Sequence, residues 1–234
     1  MNGSFYVGAY WPARRESIEA CAARAMTCLE GIAGVDDLLA SWCLKAPRRA
    51  AARRALGVDL DSVTAALAAG RNRRDDDGSV LDELGYSLAV WNGDDDDPVA
   101  LSMRCGISGT YGPSNAVLLN LPARSDRAAA LHELASATSM LRTLVEAWEP
   151  DWATVTTNAL REAQRPQPGQ PVLGWLTYLS PERGPVPALP APSSVEPVKG
   201  GGSIVGIATA STVDGGLLGT IARELGPRLL RPAS

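Results

Sequence analysis

Three short β-like segments lie close together in the middle of the chain, and their spacing restricts the fold more than any other feature. They are YSLAVW (86–91), VALSMRCGI (99–107) and NAVLLNL (115–121), joined by connections of seven residues each. A parallel crossover needs a dozen or more residues, so these segments predict adjacent antiparallel strands. Asn92 and Gly93 supply the start of the first turn. With helical patterns before and after them, the segments predict an α+β domain with a largely antiparallel sheet.

The N-terminal part of the chain combines one strand pattern with several helical patterns. SFYVGAYW alternates and predicts a strand, whereas from Glu16 the apolar residues recur at three- and four-residue steps and predict a helix that ends near Gly34. DDLLASWCLK predicts a shorter helix with Asp36 or Asp37 as its N-cap. The alanine-rich segments RRAAARRAL and DLDSVTAALAAG continue the helical pattern as far as Gly70.

The clearest helical pattern covers residues 125–148. Its apolar residues line one side, Leu134 among them, and Ser125 or Asp126 is the expected N-cap. Pro150 follows the pattern, and proline does not continue a helix. We therefore expect one long amphipathic helix here.

The remaining C-terminal segments complete the predicted domain. Residues 152–160 fit a strand or a short helix, and their Val and Thr content favours a strand. VLGWLTYLS predicts a strand, and residues 180–197 predict a proline-rich connector without regular structure. KGGGSIVGIATAS then predicts a glycine turn and a strand, and a closing helix follows. We expect residues 1–234 to form one domain.

Negative charge is concentrated in the middle of the chain. Residues 1–58 carry 8 basic and 5 acidic side chains, residues 59–110 carry 4 and 11, and residues 111–234 carry 10 of each, which gives the net charge of −4. A protein that grips nucleic acid shows an extended basic face instead. This distribution argues against direct nucleic-acid binding and favours a basic protein partner.

The apolar segments and the N-terminus bear on localisation. The longest apolar stretches, such as AVLLNL and SIVGIATA, are far too short to cross a bilayer. The N-terminal sequence MNGSFYVGAYWPARR lacks the basic start and apolar stretch of a signal peptide. We expect a cytoplasmic protein without membrane contact.

The sequence offers few groups for catalysis or for binding a metal ion or cofactor. Cys21, Cys28, Cys43 and Cys105 are widely spaced, and His132 is the only histidine, so the paired ligands of a zinc site are missing. Nucleophile-elbow, Walker A and dinucleotide-binding patterns are absent. His132 lies on an amphipathic helical pattern, where a histidine is more often a boundary residue than a base. The sequence predicts reduced thiols, no cofactor, no metal and no enzymatic activity.

The stretch WNGDDDDP (91–98) places four carboxylates in a row, with nothing nearby in sequence to neutralise them. Consecutive side chains of an extended loop point in opposite directions, so the run makes a poor calcium cage. A solvated loop is one interpretation. A contact with a basic partner is the other, and a neighbouring tryptophan favours it because aromatic residues dominate interface hot spots. The candidate partner-binding residues are Trp91, Asn92, Asp94, Asp95, Asp96 and Asp97, together with Asp75, Asp76 and Asp77 of a second acidic run.

Four fragments, in this order, resemble the immunity protein 52 family of bacterial polymorphic toxin systems: FYVGAYWPARRESIEACAAR, AVWNGDD, AWEPDWATVTT and GWLTYLS. The resemblance spans residues 5 to about 208. Pro12 departs from it, since glycine is expected after the YW pair. The resemblance implies a cytoplasmic, non-enzymatic protein that binds and inactivates a toxin. The toxins associated with this family mostly resemble nucleases of the restriction-endonuclease type. The resemblance supplies no catalytic residue.

Under this resemblance, the acidic loop occupies the basic groove of a nuclease, where opposite charges speed encounter and fix register. Two other classes stay open. One is a small hydrolase or transferase whose site no motif reveals, and the other is a regulatory module that recognises a different basic protein. The sequence leaves open the identity of the toxin, the stoichiometry and the oligomeric state.

Overall fold

One antiparallel sheet runs through the chain. The computed structural model describes residues 5–45, 54–109, 114–167, 169–207 and 215–230. Within these residues the strands are β1 (Phe5–Trp11), β2 (Cys43–Leu44), β3 (Tyr86–Trp91), β4 (Ala100–Cys105), β5 (Asn115–Asn120), β6 (Trp152–Thr157), β7 (Leu176–Leu179), β8 (Ser194–Pro197) and β9 (Ser203–Gly206). They pair in the order β2-β3-β4-β5-β1-β6-β7-β9-β8, and every pair is antiparallel.

Three helices cover one face of this sheet. They are α1 (Ile18–Ala33), α2 (Leu60–Ala69) and α3 (Leu134–Trp148). α1 packs against α2 and α3, and α3 packs against β1, β6 and β7. Alternate strand residues such as Val7 and Ala9 are fully buried beneath them. The predicted α+β class with a largely antiparallel sheet is confirmed.

A second, smaller core lies on the opposite face, over the half of the sheet that contains β6, β7 and β9. Trp152 and Val205 point to this side and pack with Ile221 and Leu225 of α5 (Gly215–Leu225). None of the helices in the described part of the chain combines the length and the hydropathy that a membrane span requires.

Residues 152–160, which fit either a strand or a helix, form both. β6 ends at Thr157, and α4 (Asn158–Gln164) begins with the next residue. The hydroxyl of Thr157 accepts a hydrogen bond from the backbone N–H of Leu160 at 3.2 Å and caps the helix. The strand that the Val and Thr content favoured is therefore confirmed as far as Thr157.

The predicted helix over residues 125–148 begins only at Leu134, so the prediction is wrong for residues 125–133. Glu133 has extended backbone (φ −77°, ψ 150°), and Leu134 is 53% exposed instead of lining the apolar side. A tertiary contact explains the difference: the Ser125 hydroxyl donates to a carboxylate oxygen of Asp97 at 2.7 Å. This contact ties the segment to a distant loop, and no helical pattern can reveal it.

Both edges of the sheet come from segments without a strand pattern. In DDLLASWCLK only Asp37–Leu39 forms a helical turn, and the chain then joins β3 as β2. The connector at 180–197 was expected to lack regular structure, but its last residues form β8 on the open edge of β9. Each edge strand is defined by the neighbour that it joins rather than by its own residues.

The alanine-rich segments form a single helix in the described part of the chain. α2 follows its N-cap Asp59, and it is capped by Gly70, where the pattern predicted its end. A Cβ atom at Gly70 would lie 1.9 Å from the backbone oxygen of Ser87, so only glycine fits there. Residues 48–53 of RRAAARRAL lie outside the described residues, and Ala55 forms a β-bridge, so the helical prediction is wrong at that end.

Candidate partner-binding surface

The loop between β3 and β4 is closed by the side chain of Asn92. Its Oδ1 accepts hydrogen bonds from the backbone N–H groups of Asp94 (3.3 Å) and Val99 (3.0 Å). Its Nδ2 donates to the carbonyl of Asp97 at 3.0 Å. Oδ1 of Asp94 accepts from the N–H groups of Asp96 and Asp97, both at 2.9 Å. Short polar side chains favour such local bonds in turns, and here they give the loop one defined shape.

Two of the four aspartates in this loop are neutralised from a distant segment. Arg127 forms an ion pair with Asp94 and lies 3.9 Å from Oδ2 of Asp97. Asp97 also accepts the Ser125 hydrogen bond and is only 7% exposed. The backbone N–H of Asp97, followed by Arg127, holds the pKa of Asp94 below its usual value. The charge that balances Asp94 and Asp97 therefore comes from a segment distant in sequence, and the interpretation of a fully solvated loop does not hold for Asp97.

The other two aspartates form the tip of the loop. Asp95 and Asp96 are exposed, whereas Asp94 is half-buried and Asp97 is buried. A tip of fixed shape presents these two carboxylates to a partner without a large ordering cost. Of the predicted acidic contact residues in this loop, these two are the ones that a partner reaches first.

Trp91 lies beside the loop, on the sheet face away from α1, α2 and α3. Its neighbour Val90 is fully buried in the main core, and successive strand residues point to opposite faces. Trp91 itself is half-buried. Several partly exposed side chains share its face, and we name them the outer strip: Ala89, Trp91, Ala100, Ser102 and Leu118.

The second acidic run, residues 75–77, lies at the opposite end of β3. A β-bridge between Arg73 and Val80 closes its turn, and all three aspartates are exposed. Hydrogen bonds from Ser79 hold the pKa of Asp77 below its usual value. A strand of six residues is about 20 Å long, so the structure separates the two acidic runs rather than joining them.

The outer strip leads to a pocket of about 400 Å³ that sequence patterns did not indicate. Tyr10 and Trp152 stack there, with ring centroids 4.1 Å apart and an interplanar angle of 18°. Arg104 of β4 and Arg161 of α4 also line it. One signal was present in the sequence: Arg104 interrupts the apolar VALSMRC pattern at a position that alternation places outside the core.

A larger open cleft of about 690 Å³ borders the end of α3, where two arginines hold the end of the helix. Arg14 donates to the carbonyls of Trp148 (2.8 Å) and Glu149 (3.3 Å). Arg24 pairs with the carboxylates of Glu149 (2.7 Å) and Glu16 (2.8 Å). These cations satisfy and stabilise the carbonyl end of the helix. The arrangement is a helix terminus held by hydrogen bonds and ion pairs.

The side chain of His132 packs against an aromatic neighbour. Its ring meets Phe5 edge-on with centroids 5.3 Å apart, and its Nε2 is buried without a hydrogen-bond partner in the described structure. Burial lowers the pKa of His132, and the positive charge of Arg124 acts in the same direction. The imidazole is therefore held in its neutral form at neutral pH.

We expect the free energy of unfolding to fall between about pH 7.5 and about pH 5.5, and to fall less in His132→Gln. A histidine whose pKa is lower in the folded state takes up its proton preferentially in the unfolded state. Its full contribution is present above the unfolded pKa and is lost as the pH falls below it. Urea unfolding of both proteins at the two pH values measures this, and equal slopes would contradict it.

Comparisons with known proteins agree with the family resemblance. The family model for Immunity protein 52 matches residues 3–214. A T6SS protein of Pseudomonas aeruginosa has a similar fold, with a TM-score of 0.55 and 10% identity over 96% of this chain and 76% of that chain. No curated protein matches the chain. Because the family model covers nearly all of its length, the chain belongs to the immunity protein 52 family.

Proposed function

We propose that this chain is a cytoplasmic, non-enzymatic immunity protein that binds a cognate bacterial toxin, and that this toxin is a nuclease whose basic groove the acidic loop covers. Membership of the family supports the immunity function, and the similar fold of a T6SS protein agrees with it. The observation that carries the loop assignment is the fixed tip at Asp95 and Asp96, beside Trp91.

The charge of the loop, its fixed shape and the neighbouring tryptophan all favour this contact. A nuclease binds phosphates through a basic groove, and two exposed carboxylates complement that charge. Asn92 and Asp94 hold the loop before any partner arrives, so little conformational entropy is lost on binding. Trp91 adds a half-buried ring of the type that dominates interface energetics.

The direct test of the function is co-expression with the toxin encoded beside the gene of this chain. We expect cells that carry both genes to survive and cells that carry the toxin alone to die. We also expect the two purified proteins to form a complex and nuclease activity to disappear in it. A folded, abundant chain that neither protects nor binds contradicts the proposal.

Asp95→Asn/Asp96→Asn is expected to slow association with the toxin several-fold and to flatten its dependence on salt. Stability should change by no more than about 0.5 kcal/mol per site, because both side chains are exposed. The matched variant Asp94→Ala/Asp97→Ala should instead lose stability, because it removes the acceptors of the loop and the Ser125 contact. Stopped-flow association at low and high salt, with urea unfolding of each variant, measures both effects. Wild-type association rates in the first variant would remove the loop from the interface.

A further inference from the structure

We propose that the pocket between Arg104 and Arg161 is a second contact site on the partner-binding surface and that it takes a carboxylate side chain of the partner protein. We name it the arginine pocket, formed by Tyr10, Arg104, Trp152 and Arg161. The inference rests on the proposed function and adds to it a contact of the opposite charge. The toxin then presents an acidic side chain beside its basic groove.

The side chains of the two arginines are not engaged by any anion among the described residues. Arg104 and Arg161 are exposed, and neither side chain forms an ion pair or hydrogen bond within the described part of the chain. Asp151 is the one carboxylate among the described residues that line the pocket. Both of its oxygens are already bound by the guanidinium of Arg183, at 2.8 and 2.6 Å. The pocket is therefore positively charged, and its cations are available to a ligand.

The stacked rings of Tyr10 and Trp152 line the arginine pocket beside these two positive charges. Gly8 lets the Tyr10 side chain lie along β1, since a Cβ atom at Gly8 would meet the Tyr10 hydroxyl at 2.7 Å. Burial raises the pKa of that hydroxyl, while the positive charges of Arg161 and Arg104 act in the opposite direction. The hydroxyl thus stays neutral near two guanidinium groups. Planar guanidinium forks bind carboxylates through paired, charge-assisted hydrogen bonds.

The position of the pocket indicates a protein side chain as its occupant. Ala100, which pairs with Trp91, lies four residues before Arg104 on β4, a separation of about 13 Å. The small side chains of the outer strip fill this interval. A partner that contacts Trp91 and the loop tip therefore reaches the pocket across a continuous surface. Negative charge at one end and positive charge at the other fixes the orientation of that partner.

Arg104→Glu/Arg161→Glu is expected to weaken toxin binding by about 100-fold, because like charges then face each other across the interface. Arg104→Gln/Arg161→Gln should weaken it less. The matched control is Arg223→Glu, an exposed arginine on α5 whose hydrogen bond goes to Thr220 of the same helix. Calorimetric titration of each purified variant with the toxin gives the affinities, and thermal unfolding shows whether each variant is folded.

A charge exchange identifies the chemistry of the occupant. Each exposed Asp or Glu of the toxin is changed to Lys and tested against Arg104→Glu/Arg161→Glu, and we expect one change to restore binding. Failure of all of them overturns the carboxylate assignment. Wild-type affinity in the glutamate variant overturns the pocket while the immunity function stands. A toxin that the unmodified chain does not bind overturns the proposed function, and this inference with it.

Discussion

Asp151→Asn is expected to lower the free energy of unfolding by about 3 kcal/mol or more. The carboxylate of Asp151 accepts two hydrogen bonds from Arg183, whose side chain is fully buried. The same guanidinium donates to the carbonyls of Arg228 (2.7 Å) and Leu230 (2.9 Å), so it ties β6 to the end of the described chain. Without the carboxylate, a buried positive charge is left without its anion. Urea unfolding of the variant and the wild type measures the loss.

Two controls separate this effect from a general response to charge removal. Glu182→Gln removes an exposed carboxylate next to Arg183 and should leave stability within about 0.5 kcal/mol. Asp151→Asn/Arg183→Met removes both charges, and it should be less destabilised than the sum of the two single variants, because an uncharged pair does not leave an uncompensated ion. Strict additivity would show that the two residues do not act as a pair.

Trp148→Ala is expected to cost about 4 kcal/mol, near the upper end for a core truncation. Trp148 is fully buried at the end of α3 and stacks on Trp11 of β1, with ring centroids 5.3 Å apart. Removing the ring opens a cavity where the helix layer meets the sheet. A domain of this kind is stabilised by about 5–15 kcal/mol in total, so the loss would remove between about a quarter and most of that stability. Thermal and urea unfolding measure the change.

Trp91→Ala is the matched control, because it removes the same side chain from a half-buried position beside the acidic loop. We expect Trp91→Ala to lose less stability than Trp148→Ala. We also expect it to weaken toxin binding more than an alanine substitution elsewhere on the surface does. In cells, Trp148→Ala should lose protection through low abundance, whereas Trp91→Ala should lose it at normal abundance. Immunoblots beside survival counts distinguish the two, and equal abundance in both variants would contradict this division.

Much of the fold was predictable, because its signals are local. β1 and α1 follow from period-two and 3.6-residue patterns, and the central strands follow from short connections that exclude crossovers. The misses share one physical cause. β2 and β8 exist because a neighbouring edge was open, and the segment before α3 leaves the helix because Ser125 binds Asp97. Tertiary contacts decide these regions, and no window of sequence contains both partners.

Only part of the candidate partner-binding surface was predictable from the sequence. The aspartate run is visible in the sequence, but the division into an inward pair and an exposed tip depends on Arg127, about thirty residues away. The arginine pocket was missed entirely. Its four residues come from β1, β4, β6 and α4, and only the pairing of those elements brings them together.

The edge strand β8 affects the concentration that this protein can reach in a cell before its copies pair through their sheet edges. The proposed function requires the protein to be present before its toxin, so the chain would accumulate without a partner to shield it. A long open sheet edge at such concentrations would pair with other copies. β8 presents only four exposed residues, Glu196 places a charge there, and Pro197 has no N–H to offer another strand. The proline-rich segment thereby disfavours the pairing of this sheet edge with another copy of the chain.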